Sequence, residues 1–173
     1  RKGLVRFRLF TAVLVLSLTA ASARAQAPAS RPLPVVWVLA TGGTISGGGS
    51  SPTSLTQYRA GTFSGDDLVA AVPSLADHAV VRVEQVANVG SPNITFGDWL
   101  TLARRINEIF TDDPAVAGVV ITHGTNTIEE TAYFLNLTVR HERPVVLVGA
   151  QRPATAISAD GPLNLLNAVR TAV

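Results

Sequence analysis

Two rhythms of apolar and polar positions alternate along residues 35–173. Short, nearly continuous apolar runs recur at "VVWVLA" (35–40), "VVRVEQVAN" (80–88), "VAGVVIT" (116–122) and "PVVLVGA" (144–150). Runs of this length, rich in β-branched residues, read as strands. The stretches between them carry helical spacing and start signals. "SGDDLVAAV" opens with a capping box from Ser64 to Asp67, and "TFGDWLTLARRINEIF" opens with one from Thr95 to Asp98. In the latter, Trp99, Leu102, Ala103, Ile106 and Phe110 repeat on one helical face. "TIEETAYFLNLTV" (127–139) has a third box, Thr127 to Glu130, and "DGPLNLLNAVRTAV" (160–173) has Asp160 as expected N-cap with Pro162 in its first turn. Apolar strands alternating with helices predict a parallel sheet with strands buried on both faces. The fold class expected is α/β: a three-layer, mostly parallel, doubly wound sheet.

The N-terminal residues follow a different pattern. Arg1, Lys2, Arg6 and Arg8 precede an apolar stretch, "LFTAVLVLSLTAA", and "ASARA" ends with Ala23 and Ala25 in an A-x-A arrangement. This is the layout of a secretory signal peptide, with cleavage expected after Ala25 and a periplasmic or secreted destination. "QAPASRPLP" (26–34) reads as a linker. The expected organisation is therefore 1–25 signal peptide, 26–34 linker and 35–173 a single N-terminal domain. No methionine is present, even at position 1, and the last helical pattern runs to Val173. The expectation is a piece of a longer protein with a further, C-terminal domain.

Setting the signal aside reverses the charge balance. Five of the 14 basic residues lie within it and none of the 12 acidic ones, so the remainder carries nine against twelve. A net of −3 offers no basic patch for nucleic acid. With no cysteine, disulfides and thiolate chemistry drop out.

The candidate chemistry sits in the loops. Ligands of open parallel sheets bind outside the carboxyl ends of the strands. Four loops fall there: "TGGTISGG", "NVGSPN", "THGTNT" and "GAQRPAT". Two of them carry a Gly-Thr pair, Gly43-Thr44 and Gly124-Thr125, which would bring two hydroxyls to one crevice. The Gly/Ser/Thr-rich stretch 47–63 is long enough for a lid or binding loop. No dinucleotide fingerprint fits the glycines, and a phosphate-binding Gly-Lys-Ser/Thr is impossible where the sole lysine is Lys2. No G-x-S-x-G elbow occurs. His78, His123 and His141 lack metal-type spacing, and His123 at a strand end reads as orienting its loop. Thr41 reads as a turn hydroxyl bonded to its own backbone.

Three segments, "ATGGTISGGG", "ITHGTNTIEETAYFL" and "VVLVGAQRPATAISADGPLNLLNAV", together resemble the bacterial type II L-asparaginase (asparaginase/glutaminase) family. The likeness runs from about residue 33 to 173. It implies hydrolysis of L-asparagine to L-aspartate and ammonia by a homotetramer without cofactor or metal, and no membrane association after signal cleavage. By motif, it implies that Thr44 is the nucleophile and Tyr58 its activator on a flexible loop. Thr125 is the second catalytic threonine, and Gly43, Ser91 and Asn126 form the substrate-binding set. Ser91 corresponds to the serine that holds the substrate α-carboxylate. Two positions depart from the family pattern. Asn126 stands where an aspartate usually holds the substrate ammonium, and Pro92 where many members have Gln or Glu. The family's lysine behind the second threonine and its C-terminal glutamate would lie beyond Val173. A rival from another class is a periplasmic amino-acid-binding protein with a degenerate site; Asn126 gives it its foothold, and ammonia release separates the two.

Overall fold

A computed structural model describes residues 32–173. The expected signal peptide, its cleavage site and most of the linker lie outside the described residues. Four parallel strands form the central sheet in the order β4-β1-β5-β6: β1 (Val35–Gly42), β4 (Val80–Val89), β5 (Val116–Thr122) and β6 (Val145–Val148). Two further strands, β2 (Gly48–Gly49) and β3 (Tyr58–Arg59), pair as a small antiparallel hairpin inside the 47–63 stretch. Three helices connect the sheet strands, α1 (Gly65–Ala70), α2 (Phe96–Asp112) and α3 (Ile128–Thr138), and a fourth, α4 (Gly161–Ala172), follows β6.

Side chains on a strand alternate between faces, so each central strand feeds two cores. Val36, Val38 and Val120 pack with Leu68, Leu165 and Val169 beneath α1 and α4. Leu39, Val119 and Ile121 pack with Leu102, Ile106 and Leu135 beneath α2 and α3. Helices on both faces give three layers, as the sequence pattern implies.

The expectation of strands buried on both faces holds for β1 and β5 and needs correction at the sheet margins. Along β4, exposed and half-buried positions are mixed, none is fully buried, and Val80 is 50% exposed. Its polar members are used: Arg105 from α2 meets Glu84 at 2.7 Å and also lies 5.2 Å over the Trp37 ring.

The capping boxes at Ser64 and Thr95 form as expected, each hydroxyl accepting from the third helical N–H and each aspartate accepting in return. At two other helices the expected residue stands at the N-cap position, but its side chain does not cap. Thr127 makes no side-chain cap; its hydroxyl donates instead to the Ser91 carbonyl at 3.0 Å. Asp160 also caps nothing with its side chain, because its carboxylate faces the loop after β6. There it accepts from the N–H groups of Gln151 and Arg152, both at 2.9 Å. Thr127 thus ties two loops together, and Asp160 closes the loop between β6 and α4 on itself.

Candidate active site

The carboxyl ends of β1, β4 and β5 meet at glycines with no room for a side chain. Gly43 (φ 83°) donates its N–H to the Val89 carbonyl at 2.8 Å, and a Cβ on it would fall 2.4 Å from the Gly124 nitrogen. A Cβ on Gly124 would fall 2.7 Å from Ser91 Oγ. Gly149, just past β6, backs the Thr125 methyl in the same way, at 2.9 Å. Gly43 thus has its N–H committed to the fold. What it gives the site is close approach of backbones, the use of glycine that positive φ and crowding require.

Thr44 follows at once, opening a single 3₁₀ turn over Thr44–Ser46, and is half-buried. Its Oγ1 lies 2.7 Å from Tyr58 Oη, a strong hydroxyl–hydroxyl contact. Tyr58 reaches it because β3 pairs with β2, Gly49 opposite Tyr58. The tyrosine ring rests on Gly47, where a Cβ would come within 2.7 Å of Cδ2. The hairpin is rooted by three backbone bonds: Thr62 N–H and Phe63 N–H to the Ser46 carbonyl, and Gly61 N–H to the Gly43 carbonyl.

Ser91 begins a 3₁₀ turn after β4 and is 3% exposed. Its Oγ has no hydrogen-bond partner among the described residues. A buried hydroxyl without a partner is costly unless a ligand satisfies it. Thr125 is half-buried and Asn126 exposed, in the loop between β5 and α3. Of the six residues expected at the site, Thr44 and Tyr58 meet side chain to side chain. Gly43, Ser91 and Thr125 are drawn into one junction by the glycine contacts. Asn126 sits at the rim of the Thr125 loop. A cavity of about 530 Å³ lies elsewhere, between α2 and α3, with Asn107 and Phe134 among its lining.

Sequence reasoning missed a buried polar chain beneath the Thr125 loop. His123 is fully buried; its Nδ1 lies 2.7 Å from the Gly124 carbonyl and its Nε2 2.9 Å from Thr131 Oγ1. Trp99 Nε1–H donates to the same hydroxyl at 2.8 Å. The carbonyl can only accept, so Nδ1 carries the proton. Burial, more than the bond to Gly124 or the charge of Glu130, sets the histidine pKa and lowers it. The ring is then neutral, Nε2 accepts, and the Thr131 hydroxyl donates. The reading of His123 as orienting its loop agrees with these bonds. Thr41 needs correction: it lies in β1 rather than a turn, and its hydroxyl donates across the sheet to the Thr122 carbonyl at 2.7 Å. A lone threonine in a glycine-rich stretch carries no sequence signal for that cross-strand use.

Fold and cluster together define the class: a doubly wound α/β domain whose carboxyl edge presents a threonine–tyrosine hydroxyl pair beside an unpartnered buried serine. The chain belongs to the asparaginase family, since residues 35–173 match the family described as Asparaginase, N-terminal. It is 55% identical over 148 residues to "L-asparaginase 2" of Bacillus subtilis, covering 86% of this chain and 39% of that protein. It is 47% identical over 161 residues to "Glutaminase-asparaginase" of Pseudomonas fluorescens, covering 93% and 44%. A crystal structure of a probable cytoplasmic L-asparaginase from Campylobacter jejuni superposes with a TM-score of 0.76 at 52% identity, covering 80% of this chain and 41% of that one. The chain thus spans about two fifths of the length of these relatives.

Proposed function

We propose that the complete protein hydrolyses L-asparagine to L-aspartate and ammonia, with Thr44 as nucleophile. The observation that carries this reading is the 2.7 Å contact between Thr44 Oγ1 and Tyr58 Oη, in a chain of the asparaginase family. A threonine hydroxyl is a weak nucleophile and needs an acceptor for its proton as it attacks. Tyr58 is within reach to take it. Attack on the side-chain amide carbon forms a Thr44 ester; the C–N bond breaks and the nitrogen leaves as ammonia with the transferred proton. Water, deprotonated through Thr125, then attacks the ester, releases L-aspartate and restores the Thr44 hydroxyl.

Binding is assigned to the other loops. The unpartnered Ser91 Oγ donates to the substrate α-carboxylate, and Asn126 Oδ1 accepts from its ammonium. The lysine that the family resemblance implies behind Thr125 and the glutamate that it implies for Tyr58 are supplied by the remainder of the protein. So is the rest of a homotetramer-forming subunit. Residues 35–173 act as the N-terminal domain, and residues 1–25 direct export to the periplasm with cleavage after Ala25. "Probable L-asparaginase periplasmic" of Haemophilus influenzae, 53% identical over 137 residues, favours that destination. L-Glutamine is a second substrate in this reading, which the relatives named glutaminase-asparaginase support.

Steady-state ammonia release by the complete protein, with asparagine and glutamine in turn, tests the proposal. Turnover of asparagine is expected, lowered by orders of magnitude in Thr125→Ala. Tight asparagine binding with no ammonia released would favour the rival binding protein instead.

A further inference from the structure

The hairpin that carries Tyr58 is gripped from one side by a segment that the chemistry above does not use. Residues 153–157, in the loop between β6 and α4, make three hydrogen bonds to it. Ala154 N–H donates to the Gly47 carbonyl, Ile157 N–H to the Pro52 carbonyl, and Gly49 N–H to Thr155 Oγ1, each at 2.9 Å. The third bond is the informative one. Gly49 is the residue paired with Tyr58 across the hairpin, so the Thr155 hydroxyl holds the strand directly behind the tyrosine.

The rest of the hairpin has little to keep it in place. Its root is pinned to Ser46 and Gly43, but the β2–β3 ladder has only two residue pairs. An isolated two-stranded pairing that short is marginal in water. Its tip includes the exposed Pro52, Thr53, Leu55 and Thr56. The gripping segment, by contrast, is itself anchored, because Asp160 accepts from Gln151 and Arg152 N–H at its start. A firm loop therefore holds a weak one, and the single side chain in the grip is Thr155.

We propose that Thr155 is a positioning residue. Its hydroxyl latches the β2–β3 hairpin closed and so sets the fraction of molecules in which Tyr58 Oη stands 2.7 Å from Thr44 Oγ1. The proposal rests on the role given to Tyr58 in the preceding reading. Loss of one neutral hydrogen bond shifts such an opening equilibrium by about fivefold.

Thr155→Val in the complete protein removes the acceptor and keeps the shape, and Thr155→Ser keeps the acceptor. Arg59, exposed at the end of β3, supplies a direct reporter, because tryptic cleavage after it tracks the population of the opened hairpin. Cleavage after Arg59, followed by mass spectrometry, is expected to quicken about fivefold in Thr155→Val and to return to the wild-type rate in Thr155→Ser. The melting temperature and cleavage at Arg82 and Arg170 should stay unchanged. In the ammonia assay kcat in Thr155→Val should fall only in proportion to the closed fraction lost and recover in Thr155→Ser, with KM little altered, since Ser91 and Asn126 lie outside the hairpin. Wild-type cleavage after Arg59 in Thr155→Val would overturn the latch. So would faster cleavage at all three arginines with a lowered melting temperature, which marks general unfolding. If the wild type releases no ammonia, the proposed activity fails, while the Arg59 ratio still decides the latch.

Discussion

At the scale of single residues, Asn126 and His123 carry the sharpest expectations. An aspartate at 126 would hold a substrate ammonium through a charge-assisted bond, worth about 1.5–3 kcal/mol against about 1 kcal/mol for a neutral amide acceptor. Asn126→Asp should therefore lower KM for asparagine about tenfold without changing the product. Steady-state kinetics on the complete protein measure it, and a raised KM would mean that the asparagine is tuned to this site. His123 makes a pH-dependent contribution whose sign follows from its lowered pKa. The native ring stays neutral below about pH 6.5, where the unfolded ring takes up a proton. Stability should hold above that pH and decline as pH falls from there towards the lower native value. Urea-midpoint measurements between pH 8 and 5 should show this decline, and His123→Asn should flatten it.

At the scale of elements, Thr95 offers a clean test of the start of α2. At the exposed helix end its hydroxyl accepts from Asp98 N–H and the Asp98 carboxylate accepts from Thr95 N–H. Thr95→Ala should cost about 0.5–2 kcal/mol by thermal or urea unfolding, with catalysis untouched. This cap was legible because both partners lie within one turn. Thr127 has the same box signature and Asp160 is also a cap-forming residue, yet neither side chain caps its helix. Their oxygens and hydroxyls are claimed by Ser91 and by Gln151 and Arg152, residues 36, 9 and 8 positions away. Local pattern does not register such competition. The His123–Thr131–Trp99 chain was illegible for the same reason, since Trp99 and Thr131 are 32 positions apart. Strand and helix order was legible because burial on a sheet writes a short apolar period directly into the sequence.

At the scale of the whole molecule, the parallel sheet brings loops from four separate segments to one edge, and glycine contacts set their spacing. The sheet edge at which the Thr44 and Thr125 loops fall could be placed from the order of strands alone. The partner of Thr44 could not: Tyr58 lies 14 positions on, in a hairpin too short to leave a periodic signal. The cross-links that join hairpin, Thr125 loop and post-β6 segment make the site a property of the domain rather than of any motif.

The central claim is that Thr44, activated by Tyr58, is the nucleophile. Its most direct measurement is kcat for ammonia release from asparagine by the complete protein, wild type against Thr44→Ala. Because nucleophile and activator act as a unit, kcat should drop by about three orders of magnitude or more, with asparagine still bound. Near-normal turnover in Thr44→Ala would contradict the account.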